Sequence, residues 1–343
     1  MSGKFGSLRD ARALSVWLIA CVAMVALMML IGAITRLTES GLSMVEWRPL
    51  IGALPPFSTA EWERVFDLYK QTSEYRLENA GMTLAEFKTI FWWEYIHRLW
   101  GRLIGLVYGM PFFWFLWRGK LPHGMKFHFA LLLLLGAAQG GIGWWMVKSG
   151  FVDRHDVSQY RLTVHLAMAF LILGYLLWLL ADVLGLNRPR LETSHALRRA
   201  TTLLLVLISV TVLSGGLVAG LGAGFDYNSW PLMDGALVPA GLFDTQPWWQ
   251  AAFESILTVQ FNHRILAYAT VATALGVFFL GRPVAGSGWQ KTTLLLVVIA
   301  AVLQLVLGIS ALLTVVMTPV AVLHQAGAIL LFSTAVLARH AFR

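Results

Sequence analysis

The chain has a single cysteine, Cys21, in 343 residues. A lone thiol closes no internal disulfide and builds no cysteine cage for zinc or an iron–sulfur cluster. Charge is scarce as well. Asp, Glu, Lys and Arg make up 13% of the sequence, against ~25% in soluble domains. That shortage excludes a soluble globule, a disordered chain and a nucleic-acid-binding surface. What is abundant is apolar: AVILMFWYC residues are 58%. With glycine counted and tyrosine left out the share is about 65%, against roughly 45–50% in soluble domains.

The apolar residues come in long runs. A bilayer core of ~30 Å needs about 20 helical residues at ~1.5 Å rise each. Uncharged stretches run over Ala13–Thr35, Phe127–Val147, Leu162–Ala181 and Ala200–Phe225. Leu103–Trp117 becomes a full span with Tyr95–Arg102, and Ile265–Gly281 extends back through Gln260. Thr292–Ala338 carries no formal charge and is too long for one span. Met317-Thr318-Pro319 interrupts it, because proline lacks the N–H that continues a helix. The expectation is an all-α integral membrane chain of eight spans. A β-barrel is excluded because these runs do not alternate polar and apolar residues.

With eight spans both termini lie on one side. That side collects Lys4, Arg9, Arg12, Arg118, Lys120, Lys126, Arg188, Arg190, Arg198, Arg199, Arg282, Lys291, Arg339 and Arg343, opposed by Asp10, Asp182 and Glu192. The opposite connection Leu221–Leu257 contains Asp226, Asp234, Asp244 and Glu254 and no base. The positive-inside rule places both termini in the cytoplasm, so the net charge of +8 is topological. The first residues lead directly into span 1 without a small-residue cleavage site, which favours a bacterial plasma (inner) membrane.

The long outer loop 36–92 holds helix starts: Ser58 with Glu61, and Thr83 with Glu86, are spaced as capping boxes. Trp62, Val65, Phe66 and Tyr69 form an apolar face at helical spacing, expected to lie on the membrane or to lid the bundle. Trp92, Trp93, Trp144, Trp145, Trp248 and Trp249 fall near outer span ends, as an interfacial belt does.

The sequence repeats. Trp47-Arg48-Pro49-Leu50-Ile51-Gly52-Ala53-Leu54 returns as Trp230-Pro231-Leu232-Met233-Asp234-Gly235-Ala236-Leu237. His97-Arg98 returns as His263-Arg264, Gln139-x-x-x-Gly143 as Gln304-x-x-x-Gly308, and His165 as His324. Two four-helix bundles of like topology follow, related by a pseudo-twofold axis along the membrane normal. They are bounded as a terminus 1–13, a first half 14–184, a linker 185–197 and a second half 198–343.

Of nine histidines, His123, His195, His128, His340 and His155 fall in loops or at span ends, where a solvated or interfacial ring is expected. His97, His165, His263 and His324 lie within about two turns of the outer ends of spans 2, 4, 6 and 8. Ionisable residues inside spans are costly and mark function. Two histidines per half are too few for a typical zinc site. They suffice for a haem iron, whose other positions the porphyrin fills. No span carries ligands at both depths, which separates this plan from a cytochrome b with haems stacked across the membrane. Gly101, Gly105 and Gly109 leave a smooth face on span 2 that admits a ring or a neighbouring helix. Arg98 and Arg264 suit haem propionates, or snorkel to headgroups. The two sites differ in one respect: Glu94 stands three residues before His97, whereas Gln260 stands before His263. A carboxylate beside a reacting haem accepts or relays protons. A pair with Arg98 at i+4 is the competing role.

These motifs resemble one family, the haem A synthases of the mitochondrial and proteobacterial type. The resemblance covers nearly the whole chain. It rests on Gly41-Leu42-Ser43 with Trp47-Arg48-Pro49, Glu94-Tyr95-Ile96-His97-Arg98, Gln139-Gly140-Gly141-Ile142-Gly143, His165, Asn262-His263-Arg264 and His324-Gln325. It implies oxidation of a methyl substituent of haem O to a formyl group by successive hydroxylations, giving haem A for cytochrome oxidase. It also implies a haem b cofactor on His263 and His324, supported by Arg264. Haem O would be received at His97 and His165, with Arg98 near a propionate and Glu94 as the catalytic carboxylate. Haem O synthase, a redox donor or acceptor and membrane lipid are the implied partners, and an oligomer is compatible with the plan. Some members carry a cysteine pair in the first outer loop, which this chain lacks. The alternatives from the residues alone are a bis-histidine diheme electron-transfer cytochrome b and a haem carrier or transporter.

Overall fold

A computed structural model describes residues 8–46, 54–122, 124–152, 156–186 and 194–343. Trp47–Ala53 of the first repeat motif, His123, His155, Lys4, Arg188, Arg190 and Glu192 lie outside them. The described elements are helical: α1 (Leu8–Leu37), α2 (Thr59–Tyr69), α3 (Ser73–Leu77), α4 (Leu84–Trp117), α5 (Lys126–Val152), α6 (Gln159–Leu184), α7 (His195–Gly220), α8 (Ala251–Glu254), α9 (Ile256–Gly281), α10 (Gly288–Leu313) and α11 (Thr318–Ala341). Eight of them, all but α2, α3 and α8, are long and apolar enough to cross a membrane.

Three boundaries depart from the sequence expectation, each for a local reason. Helix α4 begins at Leu84, well before Tyr95. The Thr83/Glu86 capping box starts it there, with both reciprocal bonds made. Its 34 residues span about 51 Å, more than a bilayer core. Helix α7 ends at Gly220, short of Phe225, and Gly222 follows at φ 65°. The break in the long apolar run falls at Thr314–Met317, before Pro319, which sits in the first turn of α11. There Val315 and Val316 both have positive φ, at 51° and 56°, a region costly for β-branched residues. Asn228 steadies the turn by donating its amide to the carbonyls of Gly224 (2.7 Å) and Leu312 (2.9 Å).

The projecting part of α4 carries the outer helices. The Ser58 side chain accepts from the Glu61 N–H at 3.2 Å and caps α2, without the reciprocal bond of a full box. Trp62, Phe66 and Tyr69 of α2 then bury against Phe87, Phe91 and Tyr95 of α4, with Val65 at the margin. Each fully buried ring of this kind contributes about 1.5–3 kcal/mol.

Within the spans, α1 packs on α4 and α6, and α5 on α4 and α6. Likewise α7 packs on α9 and α11, and α10 on α9 and α11. Helices α1 and α6 meet α11, and α6 also meets α7. The core along these seams includes Leu14, Trp17, Leu173, Leu176, Leu204, Ile208 and Phe332.

Candidate functional site: two histidine pairs on glycine ledges

Each of the four span histidines rests against a glycine of the preceding long helix. A Cβ on Gly32 of α1 would stand 3.0 Å from His97 Cε1, and one on Gly143 of α5 would stand 3.0 Å from His165 Cε1. The corresponding distances are 3.2 Å for Gly215 of α7 and His263, and 2.9 Å for Gly308 of α10 and His324. At Gly308 that is closer than real Cβ atoms come, and at the other three it is tighter than nine in ten real Cβ contacts, so a side chain on the ledge would press on the imidazole. His97 and His165 are near enough for their charges to act on each other, as are His263 and His324. The glycines all lie near the C-terminal ends of their helices, which brings the four rings to one end of the molecule.

The repeated Gln-x-x-x-Gly motif now has a physical meaning. One helical turn puts glutamine and glycine on the same face. Gly143 takes the edge of the His165 ring while Gln139 Nε2 reaches its Nε2 at 3.4 Å. Gly308 and Gln304 treat His324 likewise, at 3.5 Å. The Nδ1 atoms of His97, His165 and His324 are buried without a hydrogen-bond partner. His263 differs: its Nδ1 lies 2.7 Å from Ser214 Oγ.

Counted from the helix starts, His165, His263 and His324 are about two turns in. His97 is nearly four turns in, because α4 starts early. The extra turns project outward and leave its ring at the level of the others.

Glu94 is buried, at 3% exposure. Its Oε2 accepts from Ser43 Oγ (2.7 Å) and the Met44 N–H (2.7 Å), and its Oε1 accepts from Arg98 Nη2. The i+4 pair weighed from the sequence is therefore formed. Arg98 also donates to the carbonyls of Met44 and Glu46. Gln260 also ties the loop to the helix, but by donating where Glu94 accepts. Its Nε2 donates to the carbonyls of Ala223 (2.7 Å) and Asp226 (2.6 Å), and its Oε1 accepts from Arg264 Nη2 at 3.0 Å. Arg264 reaches the carbonyls of Tyr227, Ser229 and Leu232. In both halves the arginine thus ties the incoming loop to its histidine helix. Only in the first half is its charge met by a carboxylate among the described residues.

Among the described residues nothing lies within 4 Å of a Cβ built at Gly105 or Gly109, and at Gly101 Met28 Cε of α1 does, at 3.5 Å. Gly105 is exposed, whereas Gly109 is buried. The repeat places Ala267, Val271 and Leu275 at these positions in the second half.

Of the histidines expected to be solvated or interfacial, His340 departs and His128 is half-buried. His340 is fully buried, its Nε2 3.1 Å from Asp182 Oδ1. His128 Nδ1 lies 2.5 Å from the Tyr175 hydroxyl. His195 is exposed.

Among the described residues no group of three or more His, Cys, Asp or Glu side chains converges. Paired imidazoles with buried, unpartnered nitrogens and a bare glycine ledge suit an iron whose in-plane ligands come from a porphyrin. The sequence had not singled out Gly32, Gly215 or Ser214. The only trace of them is a glycine near the outer end of each odd-numbered span.

Eight apolar helices carrying two such pairs define a class: multi-pass helical membrane proteins with twin bis-imidazole sites. Within that class the particular family is identifiable. The COX15-CtaA family model, described as cytochrome oxidase assembly protein, matches residues 15–336, and the chain belongs to this family. It is 51% identical to the Heme A synthase of Paramagnetospirillum magneticum over 334 residues, 96% of this chain and 93% of that one. It is 47% identical to the Heme A synthase of Nitrosospira multiformis over 335 residues, again 96% and 93%. The Heme A synthase of Bradyrhizobium diazoefficiens is 47% identical over 329 residues, 95% of this chain and 90% of its own.

Proposed function

We propose that the protein is a haem A synthase, an oxidoreductase that converts a methyl group of haem O to a formyl group. The observation that carries this is the contrast between two otherwise matching sites. Both have a paired imidazole, a glycine ledge and an arginine staple, but only the first has a buried carboxylate, Glu94, beside its histidine. In this reading the first half, 14–184, holds the substrate haem on His97 and His165. The second half, 198–343, holds a haem b cofactor on His263 and His324, with Arg264 meeting no carboxylate among the described residues and suited to a propionate. The bound cofactor supplies a one-electron relay.

The chain's own groups do the rest. Converting a methyl to a formyl group takes its oxygen from one water and releases four protons and four electrons. Glu94 Oε2 is the acceptor for protons leaving the substrate side, and Ser43 Oγ and the Met44 N–H hold it in place. Arg98 fixes the carboxylate's rotamer through the bond to Oε1. The aromatic shelf of α2 on α4 shields this end from bulk water. Haem O arrives through the bilayer from its own synthase, and a redox partner takes the electrons. The charge pattern supports a bacterial inner-membrane location with both termini cytoplasmic.

The test is expression in a host that makes haem O but no haem A, followed by acid extraction, chromatography and mass analysis. Haem A is expected, and its loss in His97→Ala. Two haem B per chain and no haem A would instead identify an electron-transfer cytochrome. Haem O bound but unconverted, with the redox partner supplied, would identify a carrier.

A further inference from the structure

The two halves differ at the back of one histidine. In α7, Ser214 precedes the ledge glycine Gly215 and places its Oγ 2.7 Å from His263 Nδ1. The same hydroxyl lies 2.7 Å from the Thr211 carbonyl. A carbonyl only accepts, and with the serine hydrogen on Thr211 the oxygen accepts from the ring. The Thr211 carbonyl also faces His263, and both acceptors favour the ring with hydrogen on Nδ1 and a lone pair on Nε2. In α1 the residue before the ledge glycine Gly32 is Ile31, buried at 8% exposure. An isoleucine offers the ring nothing, and His97 Nδ1 is left without a partner.

We infer that Ser214 is a positioning residue that presets His263 as a strong axial ligand, and that Ile31 leaves His97 a weaker, exchangeable one. This rests on the assignment of the second half to the resident haem and the first to the transient one. The physical basis is general. A hydrogen bond from the distal ring nitrogen fixes tautomer and orientation and raises ligand basicity. A permanent cofactor gains from that support. A site that must release its product gains from its absence.

The experiment uses the full-length protein purified with its haem. Three variants are compared with wild type: Ser214→Ala, Ser214→Thr, which restores a hydroxyl, and Ile31→Ser. The readouts are the rate of haem transfer to excess apomyoglobin, the midpoint potential of the second-half haem and the thermal midpoint of the protein. His263→Ala identifies which spectral component belongs to the second half. Ser214→Ala is expected to raise the potential of that component and to weaken its retention about ten- to a hundredfold, the usual effect of removing such a partner. Ser214→Thr is expected to restore both, and Ile31→Ser to slow haem loss from the first half. A merely structural serine would shift the thermal midpoint and leave the potential alone. If His263→Ala removes the component but Ser214→Ala changes neither potential nor retention, the role of Ser214 is overturned by itself. If the component survives His263→Ala, the cofactor assignment fails, and this inference with it.

Discussion

Glu94 and Gln260 share one bond, from the arginine four residues on, and differ in the rest. Glu94 Oε2 accepts from Ser43 and the Met44 N–H, whereas Gln260 Nε2 donates to two carbonyls. Glu94→Gln should keep the Arg98 bond through its amide oxygen but set its NH2 group against the Met44 N–H, a modest loss of stability, while haem A formation falls about 10²–10⁴-fold, the usual value of a positioned acid–base group. Haem extraction and absorbance on one preparation, normalised to folded protein, check that statement. Glu94→Ala is a different perturbation. It strands Arg98, whose side chain is 11% exposed, and breaking a buried pair costs about 3–5 kcal/mol. Its thermal midpoint should fall further than that of Glu94→Gln. A second carboxyl, Glu74 of α3, is buried at 7% exposure beside Tyr69. Burial first, then the charges of Glu94, Glu39 and Asp156, push its pKa up to about 8, against the opposing bond to Tyr69. A folded-state pKa above the unfolded value means that the folded chain holds the proton more tightly. Its stabilising effect is full below about pH 4.5 and is lost as pH rises toward 8. Glu74→Gln should thus raise the thermal midpoint at pH 8–9 and make no difference near pH 4, in a melt series across that range. The four span histidines were legible as residues because polar groups are rare in apolar runs. Their glycine ledges and Ser214 were not. A contact between two helices leaves no mark on either sequence, and a serine inside a helix looks the same whether or not a ring lies behind it.

Among the elements, the spans were legible from uncharged length alone, and the capping box at Thr83 was visible in outline. That box starts α4 as a continuous helix three turns above the expected span. Hydropathy could not show this, because the added turns are amphipathic and pack under α2 rather than under lipid. The break before α11 was also misplaced. Proline is tolerated in a first helical turn, and the chain instead turns at Val315 and Val316, held by Asn228 from another loop. The ledges give a prediction at this scale. Gly308→Ala places a methyl 2.9 Å from His324 Cε1. It should displace the ring and deplete haem from the second half, read as haem per chain. Gly105→Ala meets nothing within 4 Å and should leave haem content unchanged. Gly105→Val gives the first half the side chain that the repeat has there in the second, Val271. It should hinder haem O loading of the first half and spare the second-half haem, seen as fewer haem O equivalents at constant haem b.

At the scale of the molecule, the two described acids on the basic side are both paired: Asp10 with Lys120 at 2.8 Å, and Asp182 with His340 and Arg343. Among the described residues Arg9, Arg12, Arg118, Lys126, Arg198, Arg199, Arg282 and Lys291 of that set are exposed, where headgroup attraction and the positive-inside bias would favour the cytoplasmic side. The loop between α7 and α8, with its acids and exposed Leu237, belongs on the other side. The single native thiol, Cys21, is buried at 2% exposure, so introduced cysteines report topology without background. A membrane-impermeant thiol reagent applied to spheroplasts should label Leu237→Cys at once. Ser194→Cys, at the start of α7, should label only after the inner membrane is opened. The reverse order would invert the orientation. Glu94 and all four histidines would then face the cytoplasm, and the proton acceptor proposed here would discharge into the wrong compartment.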